Sequence, residues 1–170
     1  NEGGEVTGGK LNATLLEAKG GTGTDASATT IGIYSENAPH TVTFNSLNMT
    51  KVNAEGGNGV DNASAIAYGI QNKSGYLETT GTVATNTITV TAKGGYSSKD
   101  AHAEAYGVSN EDNGDLNING TWVINVQATA GNALAGANLE NTETSAVGIM
   151  NSSGHNMSLS GPVTVSATAI

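Results

Sequence analysis

Ile88-Thr89-Val90-Thr91-Ala92-Lys93-Gly94-Gly95 decides how the chain is read. Apolar and polar residues alternate up to Ala92, and then two glycines interrupt. A period of two places Ile88, Val90 and Ala92 on one face of a strand and Thr89 and Thr91 on the other. Thr and Val suit a pleated, half-buried surface better than a helix. The same alternation returns as Ile124-Asn125-Val126-Gln127-Ala128 and as Val163-Thr164-Val165-Ser166-Ala167.

Outward from this stretch, three anchors recur in one order. The first is Ala-x-Gly-Gly, at Ala18, Ala54 and Ala92, with a degraded copy at Ala128. The second is Gly-Ile/Val, at Gly32, Gly69, Gly107 and Gly148. The third is a short alternating segment containing Val42, Leu77, Leu116 or Met157. The spacings of the first two anchors lie between 36 and 41 residues and give approximate repeats 18–53, 54–91, 92–127 and 128–170. No convincing helix intervenes, and each repeat reads as three short strands.

One such unit cannot bury its apolar face alone, whereas units stacked in parallel make a continuous core. The fold expected is therefore all-β: a single right-handed parallel β-helix, or β-solenoid, of four to five repeats over residues 1–170. One rung per repeat, with a long loop at Gly-Gly, is preferred, because two rungs would divide the large side chains too thinly. Two rungs remain the alternative. The inward set expected in the second copy is Tyr68, Ile70, Leu77, Ile88, Val90 and Ala92. Ile31, Tyr68, Tyr106 and Val147 should form a column of the same parity as Ile33, Ile70, Val108 and Ile149. Trp122 shares the parity of Ile124 and Val126 and reads as core. Ser35, Asn72, Asn110 and Asn151 should line a turn, where stacked Asn amides can bond along the axis. Sugar contact is the other reading of these Asn.

Composition narrows the function. The 170 residues carry a net charge of −9, with 24 Gly, no Cys and 4% aromatics. The cationic residues are all Lys. Nucleic acid is excluded as a partner for want of a basic stripe. Disulfides are excluded, and no apolar run is long enough to span a membrane as a helix. The chain lacks an initiator Met and stops within a pattern, so it reads as a piece of a longer protein.

Ala65-Ile66-Ala67-Tyr68-Gly69-Ile70-Gln71-Asn72, its echo Ala103-Glu104-Ala105-Tyr106-Gly107-Val108-Ser109-Asn110, and the opening stretch resemble the passenger domains of bacterial autotransporters. The resemblance covers roughly residues 10 to 170 and rests on repeat texture. It implies a right-handed β-helix displayed outside a bacterial cell. It implies an adhesin that attaches to a host or partner-cell glycan or protein, or to itself. A passive stalk and a polysaccharide-degrading enzyme are the alternatives.

Chemistry is sparse. Gly20-Gly21-Thr22-Gly23-Thr24-Asp25 and Gly56-Gly57-Asn58-Gly59-Val60-Asp61 fit the G-G-x-G-x-D core of calcium-binding toxin repeats. Turn carbonyls and the carboxylates of Asp25 and Asp61 could complete an oxygen shell, provided the loops are stacked neighbours. The bland reading is a flexible turn, and no cofactor is otherwise expected. His40, Tyr76, Asp115 and His155 fall at comparable distances after their anchors and could line one corner as a ligand-binding strip or a solvated turn. His102 lies elsewhere, so no three-His zinc set forms. There is no Cys nucleophile and no Gly-x-Ser-x-Gly, and carboxylate pairs are few, so no catalytic residues are assigned.

Overall fold

The computed structural model describes residues 5–36, 41–81, 85–152 and 156–170. Among them there is no helix. The first rung holds β1 (Val6–Ala13), β2 (Leu16–Lys19), β3 (Thr22–Asp25) and β4 (Ala28–Glu36). The second holds two long strands, β5 (Thr41–Glu55) and β6 (Asn58–Lys73). The third holds β7 (Tyr76–Thr79), β8 (Thr85–Lys93), β9 (Tyr96–Ser97) and β10 (Asp100–Glu111). The fourth holds β11 (Asp115–Asn119), β12 (Thr121–Thr129), β13 (Asn132–Ala133) and β14 (Asn141–Asn151). A last half rung holds β15 (Met157–Ser160) and β16 (Val163–Ala169).

Every pairing between these named strands is parallel and joins one rung to the next. A nine-stranded sheet A carries β1, β2, β5, β7, β8, β11, β12, β15 and β16. A seven-stranded sheet B carries β3, β4, β6, β9, β10, β13 and β14. The chain crosses from A to B and back once per repeat, so one repeat is one turn of a β-solenoid. The anchors are in register. Ala18 pairs with Ala54, Ala54 with Ala92 and Ala92 with Ala128. Ile33 pairs with Ile70, Ile70 with Val108 and Val108 with Ile149.

The Gly-Gly segments are not long loops. β2 ends at Lys19 and β3 begins at Thr22, so two glycines make the crossing. The turn is also bonded from rung to rung: Gly20 N–H donates to Glu55 O at 2.8 Å, and Asn58 N–H to Gly21 O at 3.0 Å. A Cβ on Gly56 would lie 2.7 Å from Gly95 N, and one on Gly94 would lie 2.5 Å from Gly131 N. Glycine stands at Gly20, Gly56 and Gly94 because corner backbones stack there with no room for a side chain, so these turns are packed and bonded from rung to rung.

Two sizes of residue face each other across the core. Sheet A supplies the large ones: Met49, Ile88, Val90, Ile124 and Val126 are all buried. Sheet B supplies Ala65, Ala67, Ala103 and Ala105, also buried. Large-against-small filling lets two sheets approach closely at native density. Trp122 is fully buried, as its parity suggested, and its Nε1–H donates to Asn119 O at 3.0 Å.

Tyr68 and Tyr106 do not point inward. The inward parity of β6 runs through Ala63, Ala65 and Ala67, and then resets at Gly69, so that Ile70 and Asn72 are also buried. A Cβ on Gly69 would lie 2.5 Å from Ile88 Cγ2 and 2.5 Å from Gly107 O. The glycine thus faces the opposite sheet, Ile70 follows it into the core, and Tyr68 before it faces out. Ile31, Tyr68, Tyr106 and Val147 therefore form a half-buried outer column, separate from the buried Ile33, Ile70 and Val108.

The Asn column is a buried ladder. Asn72 Nδ2 donates to Asn110 Oδ1 at 2.8 Å, and Asn110 Nδ2 to Asn151 Oδ1 at 3.0 Å. Asn110 Nδ2 also caps Gly114 O at 2.7 Å. Ser35, Asn72 and Asn110 are at most 1% exposed, so structure rather than sugar contact occupies Asn72 and Asn110.

Candidate functional sites

Two surfaces and one loop pair remain after the core is accounted for. The first surface is a corner groove. Tyr76 opens β7 and Asp115 opens β11, and the two are register partners. Asn117 Nδ2 donates to Tyr76 Oη at 2.9 Å, which leaves the phenol hydrogen free to donate outward. With Asn156, Met157 and Ser158 they line an open groove of about 400 Å³. Asp115 Oδ1 is buried and has no hydrogen-bond partner. Phenol, carboxylate and amide together can take a polar ligand through hydrogen bonds.

The structure thus brings together Tyr76 and Asp115 of the expected strip. The register partner of Tyr76 in the preceding rung is Thr41, and Leu116 N–H donates to Asn156 O at 2.9 Å. His40 and His155 lie outside the described residues.

The second surface is the outer face of sheet A. Thr89, Thr91, Asn125, Gln127, Ser166 and Thr168 line a shallow groove of about 260 Å³ along β8, β12 and β16. Asn125 pairs with Thr89 and with Ser166, and Gln127 with Thr91 and with Thr168, so the side chains run in two files along the axis. From β8 to β16 no charge interrupts either file; towards the first rung the Thr91 file continues through Asn53 to Glu17. To one side, Lys19, Glu55 and Lys93 form an exposed alternating file, with Lys93 Nζ 3.4 Å from Glu55 Oε1. Such solvated pairs contribute little stability.

The expected calcium loops are stacked, but the carboxylates are out of step. Thr22 pairs with Asn58 and Gly23 with Gly59; a bulge follows, and Asp25 then pairs with Asn62 rather than Asp61. Asp61 instead makes an ion pair with Lys99. That contact favours the charged ammonium and raises the Lys99 pKa, chiefly through the hydrogen bond to Asp61. The Lys beside the third-copy Asp therefore neutralises the second-copy Asp. Among the described residues, no group of three or more His, Cys, Asp or Glu side chains is placed to hold a metal ion.

Outside sheet B, the Tyr68 and Tyr106 rings stack with centroids 4.8 Å apart and planes 10° from parallel. Tyr106 Oη–H donates to Glu104 Oε2 at 2.9 Å. Burial, the bond to Glu104 and its charge raise the Tyr106 pKa; burial and the charges of Glu111 and Glu104 raise that of Tyr68. Both phenols stay protonated well into alkali. Sequence parity missed this pair, although the alanines at 63, 65, 67, 101, 103 and 105 already marked the inward face.

No family model matches the chain, and neither a curated protein nor a solved structure matches it.

Proposed function

We propose that this chain is a non-enzymatic adhesin module displayed outside a bacterial cell, part of an autotransporter-like passenger, which works by multivalent contact and self-association. One observation supports this most: the files from Thr89, Thr91, Asn125 and Gln127 to Ser166 and Thr168 carry no charge on a chain of net charge −9. Like-charged copies repel, and an uncharged strip is where a second surface can approach at least electrostatic cost. The third rung adds two hydroxyls, the fourth two amides and the last two hydroxyls again, so weak contacts multiply along the axis. A host or bacterial glycan or protein could use the same strip.

Sedimentation velocity across a concentration series tests the reading, alongside aggregation of cells displaying the chain. The wild type associates side by side, and the double variant Thr89→Glu, Asn125→Glu loses that association and the cell aggregation while keeping its strand circular dichroism. A passive stalk would show no association or binding in either form. Polysaccharide cleavage at catalytic rates by the purified chain would overturn the proposal in favour of a degrading enzyme.

A further inference from the structure

The middle of sheet B carries an outward patch that core packing does not explain. β6 lies between β4 and β10, and β10 lies between β6 and β14, so neither is an edge strand. Their inward side chains are alanines over most of the paired length. The outward set includes Ile66 and Tyr68 on β6 and Asp100, His102, Glu104 and Tyr106 on β10. Ile66 pairs with Glu104 and Tyr68 with Tyr106, and all four are half-buried. A carboxylate thus sits beside an isoleucine and two stacked phenols.

Among the described residues, no cation pairs with that carboxylate. Glu104 Oε2 accepts the Tyr106 hydroxyl at 2.9 Å, and its register partners are Ile66 and Ser145. Asp100, four residues earlier on the same face, lies between Asn62 and Asn141, and its Oδ1 has no hydrogen-bond partner. The lysines at the ends of these strands have other main partners. Lys73 lies 4.0 Å from Glu111, and Lys99 bonds to Asp61 and feels Asp100 only as a weaker charge. Burial raises both phenol pKa values, and the charges of Glu104 and Glu111 raise them further, so the potential over the pair is negative. The stack uses one face of each ring. Ile31 and Val147 follow on the other sides, and both are shorter than a phenol, so the outer part of each remaining face stays open.

A face that is apolar, aromatic and anionic selects a cation with a flat, weakly hydrated head. Guanidinium meets this better than ammonium, because it forks to a carboxylate and stacks on an aromatic ring. Asp100 and Glu104 are four strand residues apart, ~13 Å. An extended chain has the same rise, so arginines four residues apart along it reach both. We propose that the outer face of β6 and β10 docks an extended, arginine-bearing segment of a partner protein. Glu104 and the ring of Tyr106 receive one guanidinium, and Asp100 receives a second. This face belongs to the opposite sheet from the uncharged strip, so the two contacts are separable.

The test titrates the 170-residue chain into fluorescein-labelled penta-arginine amide and reads anisotropy, with penta-lysine amide as the comparator. Penta-arginine should bind about threefold more tightly than penta-lysine, the scale of one exposed cation–π contact. Glu104→Gln keeps an acceptor for the Tyr106 hydroxyl and should weaken penta-arginine binding about tenfold, as loss of a charged hydrogen bond does. Glu78→Gln removes the same charge from the outside of sheet A and should change binding by less than about twofold. Tyr106→Val, which copies Val147 of the same column, should erase the preference for arginine over lysine. The strip variant Thr89→Glu, Asn125→Glu should not weaken penta-arginine binding, even where it abolishes lateral association. Equal losses in Glu104→Gln and Glu78→Gln would mean attraction to net charge alone and would overturn the proposal. So would an absence of binding, or penta-lysine held as tightly as penta-arginine.

Discussion

Gly107 shows how one absent methyl group holds two sheets together. A Cβ there would press on Ile124 Cγ2 and lie 2.5 Å from Gly148 O. Ile124 is fully buried, and the carbonyl belongs to the next rung, so neither can retreat cheaply. Overpacking a filled core costs about 1–3 kcal/mol, and Gly107→Ala should lower stability by that order. Gly21 is the matched control, since nothing lies within 4 Å of its would-be Cβ. Gly21→Ala should stay within about 0.5 kcal/mol of the parent. Urea unfolding of both measures the difference, and equal midpoints would mean that the sheets have slack. The Asn ladder is a second residue-scale device: Asn72 and Asn110 bond along the axis, whereas Ser35 Oγ and Asn72 Oδ1 are buried without partners. The ladder is complete only where the repeat keeps its Asn.

At the scale of the element, β6 and β10 carry a titration into the fold. The folded state raises the Tyr106 pKa, first by burial and then by the bond to Glu104. A phenol with a raised pKa keeps its proton when the unfolded chain has already lost it, at about pH 10. Its contribution is present below that pH and is lost as pH rises. The melting temperature should hold below about pH 10 and fall as pH rises above it, toward the raised value of the folded state. Tyr106→Phe should flatten the fall, and an unchanged slope would remove Tyr106 from the account. Lys99 titrates in the same sense, so part of the slope should persist in the variant. These strands also show what could be read without coordinates. The repeat was legible because register follows the spacing of Ala18, Ala54, Ala92 and Ala128, and rung-to-rung pairing adds no other constraint. The orientation of Tyr68 was not, because a parity count passes through Gly69 as though it were any other residue. Gly69 faces inward next to an inward Ile70, and only the opposing Ile88 reveals the reset. The pairing of Tyr76 with Asp115 followed from repeat spacing, whereas the bulge that sets Asp25 opposite Asn62 is a one-residue event that spacing cannot locate.

The whole molecule behaves as a stack, and its stability should follow the number of rungs. In a solenoid each unit touches only its neighbours, so removing one unit removes its own contribution and one interface. Ala54 and Ala92 are register partners, and deleting residues 54–91 joins Asn53 to Ala92 at equivalent points of two turns. The columns then close with the same parity: Val108 can take the place of Ile70 above Ile33, and Leu116 can take the place of Leu77 above Val42. That chain should keep its strand circular dichroism and a cooperative transition. Its denaturant m-value should fall by about one quarter, because m follows the surface exposed on unfolding and one of about four rungs is gone. Deleting residues 54–73 instead removes β6 and leaves the half turn that pairs with sheet A. The end of β5 would then run directly into β7, a strand of the same sheet, with no sheet B strand to carry the chain back to the start of a turn. This half-turn deletion should abolish the cooperative transition although it removes fewer residues. If both deletions fold, or if the smaller one is the better tolerated, stability does not reside in whole turns.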